Sequence, residues 1–316
     1  MNPGRAVRRS GISILPRAMR RLSPAILTVL LAACMTPAPP PVVIAPPPPP
    51  PVAPPPPKKI KVALALGGGA ARGFAHIGVI KALEAQGIEP DIVVGTSAGS
   101  VVAALYASGM NGFELQNLAL QMEEAMVADW TLPNRGVLKG EALQAFINQK
   151  VAQQPIQALK KPLGVVATDL QSGELVLFRR GNTGMAVRAS SAVPGMFQPV
   201  DIGGRDFVDG GLVSPVPAQS ARAMGADFVI AVDISNVKRA EKLTGTLDVL
   251  LQTFSIMGHA ISRHELEDAD VVIRPVTAAV GSTDFAGRHL AILEGEKAAA
   301  AAMPALKAKL ARARAP

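Results

Sequence analysis

Cysteine, histidine and aromatic residues are all scarce in this 316-residue chain. One cysteine and four histidines leave no cysteine-rich or histidine-rich spacing of the kind that predicts a metal site. Aromatic residues amount to 3% of the sequence, too few to provide the stacking platforms that bind single-stranded nucleic acids. We therefore expect no metal, no cofactor and no nucleic-acid partner.

Acidic residues are absent from positions 1–33, which contain six arginines. The apolar run 25–33 closes this segment, and it is well below the roughly 20 residues that a membrane-spanning helix needs. A basic segment followed by a short apolar run with small residues at its end is typical of a secretory signal peptide. We predict a signal peptide at 1–33, starting at Met1 or, because Met19 would itself begin a complete signal, at Met19.

Cys34, the only cysteine, directly follows this segment. The sequence Leu31-Ala32-Ala33-Cys34 resembles the lipobox of bacterial lipoproteins, in which the cysteine is lipidated and becomes the first residue. A lipid on Cys34 would explain a lone thiol in an exported protein. We expect a lipid-anchored protein of the bacterial cell envelope, in the outer membrane facing the periplasm because Met35 rather than aspartate follows. Cleavage near Ala33 to give an unmodified, soluble product is the alternative.

Half of the prolines lie in one segment. Residues 37–57 contain 14 of the 28 prolines, and such a segment forms an extended spacer rather than a packed core. We predict that 34–57 is the lipidated cysteine with its linker and that 58–316 is one folded domain. Removing 1–33 leaves 26 basic and 24 acidic residues, so the net charge of +8 does not indicate an acidic partner.

The pattern of apolar residues after the linker alternates between strands and helices. Short apolar runs predict strands, and amphipathic stretches predict helices. The predicted strands are 60–66, 92–94, 163–168, 174–178, 227–234 and 271–274, and the predicted helices are 74–86, the segment after Ser97, 112–127 and 139–151. This alternation indicates an α/β fold, with a central, mainly parallel sheet and helices on both faces.

Gly95-x-Ser97-x-Gly99 is the most informative motif. It lies between a predicted strand and a predicted helix, which is the context of a nucleophile elbow. Glycines on either side of the serine let the backbone bend sharply, so that the hydroxyl is exposed beyond the sheet. Ligands of open α/β sheets bind beyond the carboxyl ends of the strands, and Ser97 is therefore predicted to line the site.

A glycine-rich loop, Gly67-Gly68-Gly69, ends the first predicted strand. Its backbone N–H groups can point into the same crevice at the start of a helix and stabilise an oxyanion. A loop of this kind also begins a dinucleotide site. However, Arg72 occupies the third glycine position and no acid closes the second strand, so nucleotide binding is the weaker interpretation.

The base that would take a proton from Ser97 has several candidates. His259, His264 and His289 follow the serine in the chain order of an α/β-hydrolase triad, but none of them lies at a glycine-marked strand end. A short apolar run ending in Asp209 has the better setting, because a carboxylate at a strand end could reach the serine directly.

Three motifs follow one another in the chain: Gly67-x-Gly69-x-x-Arg72-Gly73, Gly95-x-Ser97-x-Gly99 and Asp209-Gly210-Gly211. Together they resemble the motifs of the patatin-like phospholipases, and the similarity extends over most of 58–235, including the segment 188–195. The resemblance implies a three-layer α/β/α fold and a serine–aspartate pair without histidine. In this pair Ser97 attacks an ester carbonyl of a phospholipid or other acyl lipid, and Asp209 accepts its proton.

The resemblance also assigns the glycine loop. The oxyanion hole and substrate-binding region are expected to comprise Gly67, Gly68, Gly69, Ala70, Arg72 and Gly73. Ala70 departs from the family, many members of which have another glycine there, but alanine keeps its N–H group. Arg72 is expected to anchor the loop through hydrogen bonds rather than to touch substrate.

Two other functions remain compatible with the sequence. A non-catalytic lipid-binding lipoprotein could use the same fold, and a Ser-His-Asp esterase could use one of the histidines. Asp169 and Asp233, which close other predicted strands, are expected to be structural. The segment 290–315 is predicted to be a solvated closing helix interrupted at Pro304.

Overall fold

The computed structural model describes residues 59–122, 138–235, 245–277, 279–281 and 284–315. The signal peptide, Cys34 and the whole of the linker predicted above lie outside these residues, as does the end of the helix predicted at 112–127. The proposed domain boundaries therefore stay predictions. Each of the six predicted strands is present, with ends that differ from the prediction by at most a few residues.

Eight strands in the described part of the chain form one sheet. They are β1 (Val62–Leu66), β2 (Ile92–Thr96), β3 (Leu163–Asp169), β4 (Leu175–Phe178), β5 (Val200–Ile202), β6 (Arg205–Asp209), β7 (Phe228–Val232) and β8 (Val271–Ile273). Hydrogen-bonded pairing runs β5-β6-β3-β2-β1-β7-β8, and β4 also pairs with β3. The pairs linking β3, β2, β1, β7 and β8 are parallel, whereas β3–β4, β3–β6 and β5–β6 are antiparallel. The mainly parallel sheet is confirmed.

Helices cover both faces of this sheet. They are α1 (Phe74–Glu84), α2 (Ala98–Ala107), α3 (Gly112–Gln121), α4 (Glu141–Lys150), α5 (Thr183–Ser190), α6 (Ala218–Ala223), α7 (Thr246–Glu265) and α8 (Arg288–Ala313). Successive side chains of a strand point to opposite faces. In β1, Val62, Leu64 and Leu66 accordingly share a core with α1 to α4 and α8, while Ala63 and Ala65 share a second core with α6. The predicted three-layer α/β/α arrangement is confirmed.

The hairpin of β5 and β6 is an element that the periodicity did not predict as such. Its strands have three and five residues, and only the apolar end of β6 stood out in the sequence. The turn between them is Gly203-Gly204, and both residues have positive φ, 65° and 80°. Two adjacent glycines between short strands are a hairpin signal, since both central residues of a type I′ turn need positive φ.

The closing helix α8 corrects the expectation of an interruption at Pro304. The helix continues through Pro304 to Ala313, and it buries Met303, Leu306 and Leu310 on either side of the proline. Burial of these side chains stabilises the helix and offsets the backbone hydrogen bond that proline removes. Among the described residues, none of the helices combines the length and the apolar character needed to cross a bilayer.

Candidate active site

The turn from β2 to α2 gives Ser97 an unusual backbone conformation. Its φ of 52° and ψ of −126° lie outside the regions that L-residues prefer. The flanking glycines permit close packing around this turn. A Cβ on Gly95 would overlap the carbonyl oxygen of Gly99, and a Cβ on Gly99 would overlap the carbonyl oxygen of Leu66 at the end of β1. The Gly-x-Ser-x-Gly spacing is therefore required by the fit of α2 against the strand ends.

Two polar side chains hold this turn in place. The Ser97 N–H donates to Ser190 Oγ at 2.8 Å, and Ser190 Oγ in turn donates to the Val166 carbonyl oxygen at 2.5 Å. Thr96 Oγ1 donates to the Ser214 carbonyl oxygen at 2.8 Å. Ser190 lies in the segment that carried the family resemblance, but neither its role nor that of Thr96 could be read from sequence spacing.

The register of β3 explains how Ser97 comes to face Asp209. Strand β2 pairs with residues 163–166 of β3, and strand β6 pairs with residues 167–169 of β3. β4 pairs with residues 165–168 and overlaps both, so it must occupy the opposite edge of β3. β2 and β6 therefore share one edge, and because β6 is antiparallel to β3, their carboxyl ends meet head to head.

The two side chains are in direct contact. Ser97 Oγ donates a hydrogen bond to Asp209 Oδ2 with an oxygen–oxygen distance of 2.6 Å. This distance is typical of a hydroxyl bound to a charged carboxylate. The other carboxylate oxygen, Oδ1, accepts the N–H of Gly211 at 2.7 Å, and Thr168 Oγ1 donates to the Asp209 carbonyl oxygen at 2.9 Å. Gly211, the second residue after the aspartate, thus helps to orient its carboxylate.

Burial shifts the ionisation of Asp209. The residue is only 4% exposed, and loss of hydration raises the pKa of Asp209 to about 6, from 3.8 for an exposed aspartate. The hydrogen bonds from Ser97 and from the Gly211 N–H act in the opposite direction. At neutral pH the carboxylate is therefore mostly ionised, and it is a stronger proton acceptor than a solvated aspartate.

No histidine is hydrogen-bonded to this pair, although all four histidines lie in the described part of the chain. His259, His264 and His289 are exposed to solvent, and His264 lies within 3.8 Å of Glu267. His76 is fully buried, but its Nε2 is hydrogen-bonded to the carbonyl oxygen of Gly67 at 2.7 Å. Burial lowers the pKa of His76 to about 4, so it is neutral at physiological pH.

The glycine loop lies beside the serine, and only some of the backbone N–H groups of the loop are free. The N–H of Gly67 donates to the Val232 carbonyl oxygen at 3.0 Å, and that of Gly68 donates to the Pro215 carbonyl oxygen at 2.9 Å. Within the described residues, the N–H groups of Gly69 and Ala70 have no partner. The N–H groups of Gly67 and Gly68 hold the loop in place and are not available to an oxyanion. Gly69 and Ala70 therefore remain as the candidate donors of the loop.

The loop lies close to the nucleophile candidate. A Cβ built on Gly68 would be 3.2 Å from Ser97 Cβ, and Ala70 and Ser97 line the same cavity. Ala70 has a positive φ of 52°, which gives a physical reason for the glycine that many family members carry there. Gly69 and Ala70, which carry the free N–H groups, directly follow Gly68, the residue that lies beside Ser97.

The remaining residues of the motif organise the loop. Arg72 Nε donates to the Gly69 carbonyl oxygen at 3.0 Å, which agrees with the predicted anchoring role. A Cβ on Gly73 would be 2.8 Å from Ala98 Cβ, so the amino-terminal ends of α1 and α2 converge here. Both helix ends carry partial positive charge, which favours a developing anion between them.

An apolar cavity of about 240 Å³ opens beside Ser97. Its walls include Val101, Val102, Leu143, Val193, Met196 and Phe197. A cavity with apolar walls and a hydroxyl nucleophile at one end fits a hydrocarbon chain with its carbonyl at the serine.

Asp169 and Asp233 have partners away from the serine. Asp169 accepts N–H groups of its own turn and forms an ion pair with Arg205, with 2.5 Å between Nη2 and Oδ2. Asp233 accepts the N–H and hydroxyl of Ser235 and lies 3.4 Å from Arg274 Nε. Both aspartates therefore have the structural role expected from the sequence.

The fold and the site together define a class of α/β protein with a serine–aspartate pair at the carboxyl edge of a mainly parallel sheet. The family model for patatin-like phospholipases matches residues 64–222, half of the chain. The chain therefore belongs to the patatin-like phospholipase family.

Individual relatives agree with this assignment. An uncharacterized NTE family protein of Mycobacterium tuberculosis is 37% identical over 178 residues, which cover 55% of this chain and 49% of that protein. Patatin-like phospholipase domain-containing protein 6 of Homo sapiens is 36% identical over 183 residues, covering 55% of this chain and 13% of that protein. This chain therefore spans half or less of the length of these relatives.

A solved structure supports the fold alone. The crystal structure of VipD from Legionella pneumophila matches with a TM-score of 0.56 and 15% sequence identity, covering 78% of this chain and 67% of that one. At this identity the likeness concerns the arrangement of strands and helices.

Proposed function

We propose that this protein is a serine acyl hydrolase that cleaves carboxylic ester bonds of phospholipids or other acyl lipids. The observation that carries the proposal is the hydrogen bond of 2.6 Å between Ser97 and the buried carboxylate of Asp209. The apolar cavity beside Ser97 and the family membership support an acyl lipid as the substrate.

The first half of the reaction forms an acyl-enzyme. Asp209 takes the hydroxyl proton of Ser97 as Oγ adds to the ester carbonyl carbon. The carbonyl oxygen becomes an oxyanion and accepts hydrogen bonds from the free N–H groups of Gly69 and Ala70. The carbon–oxygen bond to the alcohol then breaks, the alcohol leaves with the proton held by Asp209, and the acyl group stays on Ser97.

The second half releases the fatty acid. Water adds to the acyl carbon while Asp209 takes one of its protons, and the same N–H groups hold the new oxyanion. The bond to Ser97 Oγ breaks, and the proton returns from Asp209 to that oxygen. No histidine is required, because one carboxylate accepts and returns the proton in both halves.

Substitutions at the pair test the proposal. We expect Ser97→Ala to abolish ester hydrolysis and labelling by a fluorophosphonate, because no nucleophile remains. Asp209→Asn should lower kcat/KM by about 10²- to 10⁴-fold, the usual contribution of general-base catalysis. The rate is measured with a p-nitrophenyl ester and with phospholipid vesicles.

His259→Ala, at an exposed histidine, is the control and should hydrolyse the ester at the wild-type rate. Wild-type hydrolysis in Ser97→Ala would refute the role of the serine. Loss of activity in a folded variant of His259, His264 or His289 would instead favour a Ser-His-Asp triad. Absence of a fluorophosphonate adduct on the folded wild-type protein would favour a lipid-binding protein without catalysis.

We also propose that the hydrolase is tethered to a membrane of the bacterial envelope through a lipid on Cys34. The support is the signal-like segment 1–33, the lipobox-like sequence that ends in Cys34, and the proline-rich linker after it. A single acyl chain binds membranes only marginally, whereas multiple chains anchor stably, and a tether would raise the local concentration of bilayer esters.

A further inference from the structure

One half-buried carboxylate outside the serine–aspartate pair accepts hydrogen bonds on both of its oxygens from the same short segment. Glu265, the last residue of α7, accepts the hydroxyl of Ser214 on Oε1 and the N–H of Val216 on Oε2, the latter at 2.9 Å. Ser214 is fully buried. Partial burial raises the pKa of Glu265 to about 7.

The segment that Glu265 holds is the continuation of the Asp209 motif. The segment runs from Asp209 to Val216. Glu265 holds the end at Val216, and at the other end the Asp209 N–H donates to the Ala192 carbonyl oxygen at 3.0 Å. Helix α7 lies close alongside. A Cβ built on Gly258 would be 3.8 Å from the carbonyl oxygen of Gly211 and from Pro215 Cβ.

Two carbonyl groups of this segment reach the other parts of the site. The Pro215 carbonyl oxygen accepts the N–H of Gly68 at 2.9 Å, and the Ser214 carbonyl oxygen accepts Thr96 Oγ1 at 2.8 Å. Gly68 lies beside Ser97, and Thr96 directly precedes that serine. These two carbonyl groups, of Ser214 and Pro215, lie between the Ser214 side chain and the Val216 N–H, the two groups that Glu265 binds. Glu265 therefore holds the stretch of backbone that positions the glycine loop and the elbow.

We infer that Glu265 is a positioning residue for ester hydrolysis, which aligns the glycine loop and the Ser97 elbow through Ser214 and Pro215. The inference rests on the proposed function for its chemical consequence. Catalysis needs the oxyanion donors at close to their final distances, and a displacement of about 1 Å from a remote change can cost on the order of 100-fold in rate. Glu265 does not touch the reacting atoms, so its removal acts on their geometry.

The test compares Glu265→Ala and Glu265→Gln with Glu267→Ala. Glu267 is two residues further on, its side chain is 79% exposed, and its substitution by alanine removes the same carboxyl group. We expect Glu265→Ala to lower kcat by about 10- to 100-fold with KM changed less than about threefold, because transition-state alignment is lost rather than substrate binding. Glu265→Gln should stay within about threefold of wild type, because its amide can accept from Val216 and donate to Ser214.

Hydrogen exchange supplies a readout that does not depend on catalysis. The amide of Gly68 should exchange at least about tenfold faster in Glu265→Ala than in wild type or Glu267→Ala, since its acceptor on Pro215 is no longer held. If the wild-type protein hydrolyses no ester, the proposed function fails, and the exchange of Gly68 still decides whether Glu265 positions the loop.

Three results would overturn the inference: the same kcat in Glu265→Ala and Glu267→Ala, equal losses in the Gln and Ala variants, or unchanged exchange at Gly68. If Glu265→Ala does not fold, Glu265→Gln and Ser214→Ala decide. The inference then requires near wild-type kcat in Glu265→Gln and a lower kcat in Ser214→Ala, which lacks the hydroxyl that donates to Glu265. Thermal denaturation shows which variants are folded.

Discussion

Asp209 illustrates how a single side chain acquires its chemistry from its surroundings. An exposed aspartate is too weak a base to take a serine proton efficiently, but this carboxyl group is buried and its pKa is raised to about 6. Two hydrogen bonds, from Ser97 and from the Gly211 N–H, keep the carboxylate oriented and limit the rise. The sequence identified the aspartate, whereas only its burial accounts for its strength as a base.

A pH profile follows from this ionisation. The proposed base must be ionised to accept a proton, so kcat/KM should be constant above about pH 7 and fall as the pH drops through about 6. Well below that pH the fall should approach tenfold per unit, because a single proton blocks the base. Hydrolysis of a soluble ester between pH 4.5 and 8 measures this. A rate that stays constant down to pH 4.5 would exclude Asp209 as the base.

The positive φ of Ala70 predicts a stabilising substitution. Ala70→Gly should relieve about 1–3 kcal/mol of backbone strain and cost about 0.5–1 kcal/mol in chain entropy, for a net gain of about 1 kcal/mol. Activity should be retained, since the N–H group remains. Urea denaturation measures the free energy of unfolding.

Ala71→Gly is the matched control for this substitution. Ala71 is buried and does not have positive φ, so the same change should destabilise the protein by about 1–2 kcal/mol. Equal effects at the two neighbouring positions would contradict the strain at Ala70.

At the scale of elements, local signals were sufficient for the elbow but not for its partner. The Gly-x-Ser-x-Gly motif, the strand before it and the helix after it are contiguous in the chain, so their order could be predicted. The head-to-head arrangement of β2 and β6 depends on how β3 pairs with strands far away in sequence. No periodicity within β6 specifies that pairing, and β5 is too short to show a pattern.

Helices α1 and α8 pack unusually closely. A Cβ on Gly78 would overlap the Ile292 carbonyl oxygen, and a Cβ on Gly295 would overlap the Ala75 carbonyl oxygen. Gly78→Ala should therefore destabilise the protein by about 1–3 kcal/mol, as expected for overpacking, although alanine is the better helix former. Thermal and urea denaturation measure the loss.

Gly258→Ala in α7 serves as the control, because its Cβ would meet its nearest neighbours at 3.8 Å, an ordinary contact distance. There the higher helix propensity of alanine should leave stability unchanged or raise it by up to about 1 kcal/mol. A neutral Gly78→Ala would argue against the close approach of α1 and α8.

At the scale of the whole molecule, tethering and catalysis are proposed to reside in separate parts of the chain. Cys34→Ser should move the protein from the membrane fraction to the soluble fraction, because the thiol that would carry the lipid is lost. The hydrolysis of a soluble p-nitrophenyl ester should be unchanged, since the proposed nucleophile, base and oxyanion donors are other residues. Fractionation and the ester assay measure the two effects, and an unchanged membrane fraction would refute the lipid anchor.

The sequence by itself determined the class of fold, the elbow at Ser97 and the aspartate most suited to accompany it. These features are contiguous: an apolar strand, a glycine-flanked turn, a helix, and a short run ending in Asp209. Tertiary structure decided which loop N–H groups are free, the 2.6 Å contact with the serine and the second set of supports, Ser190 and Glu265. Hydrogen bonds between residues far apart in the chain depend on strand pairing and on burial, neither of which is a property of any local segment.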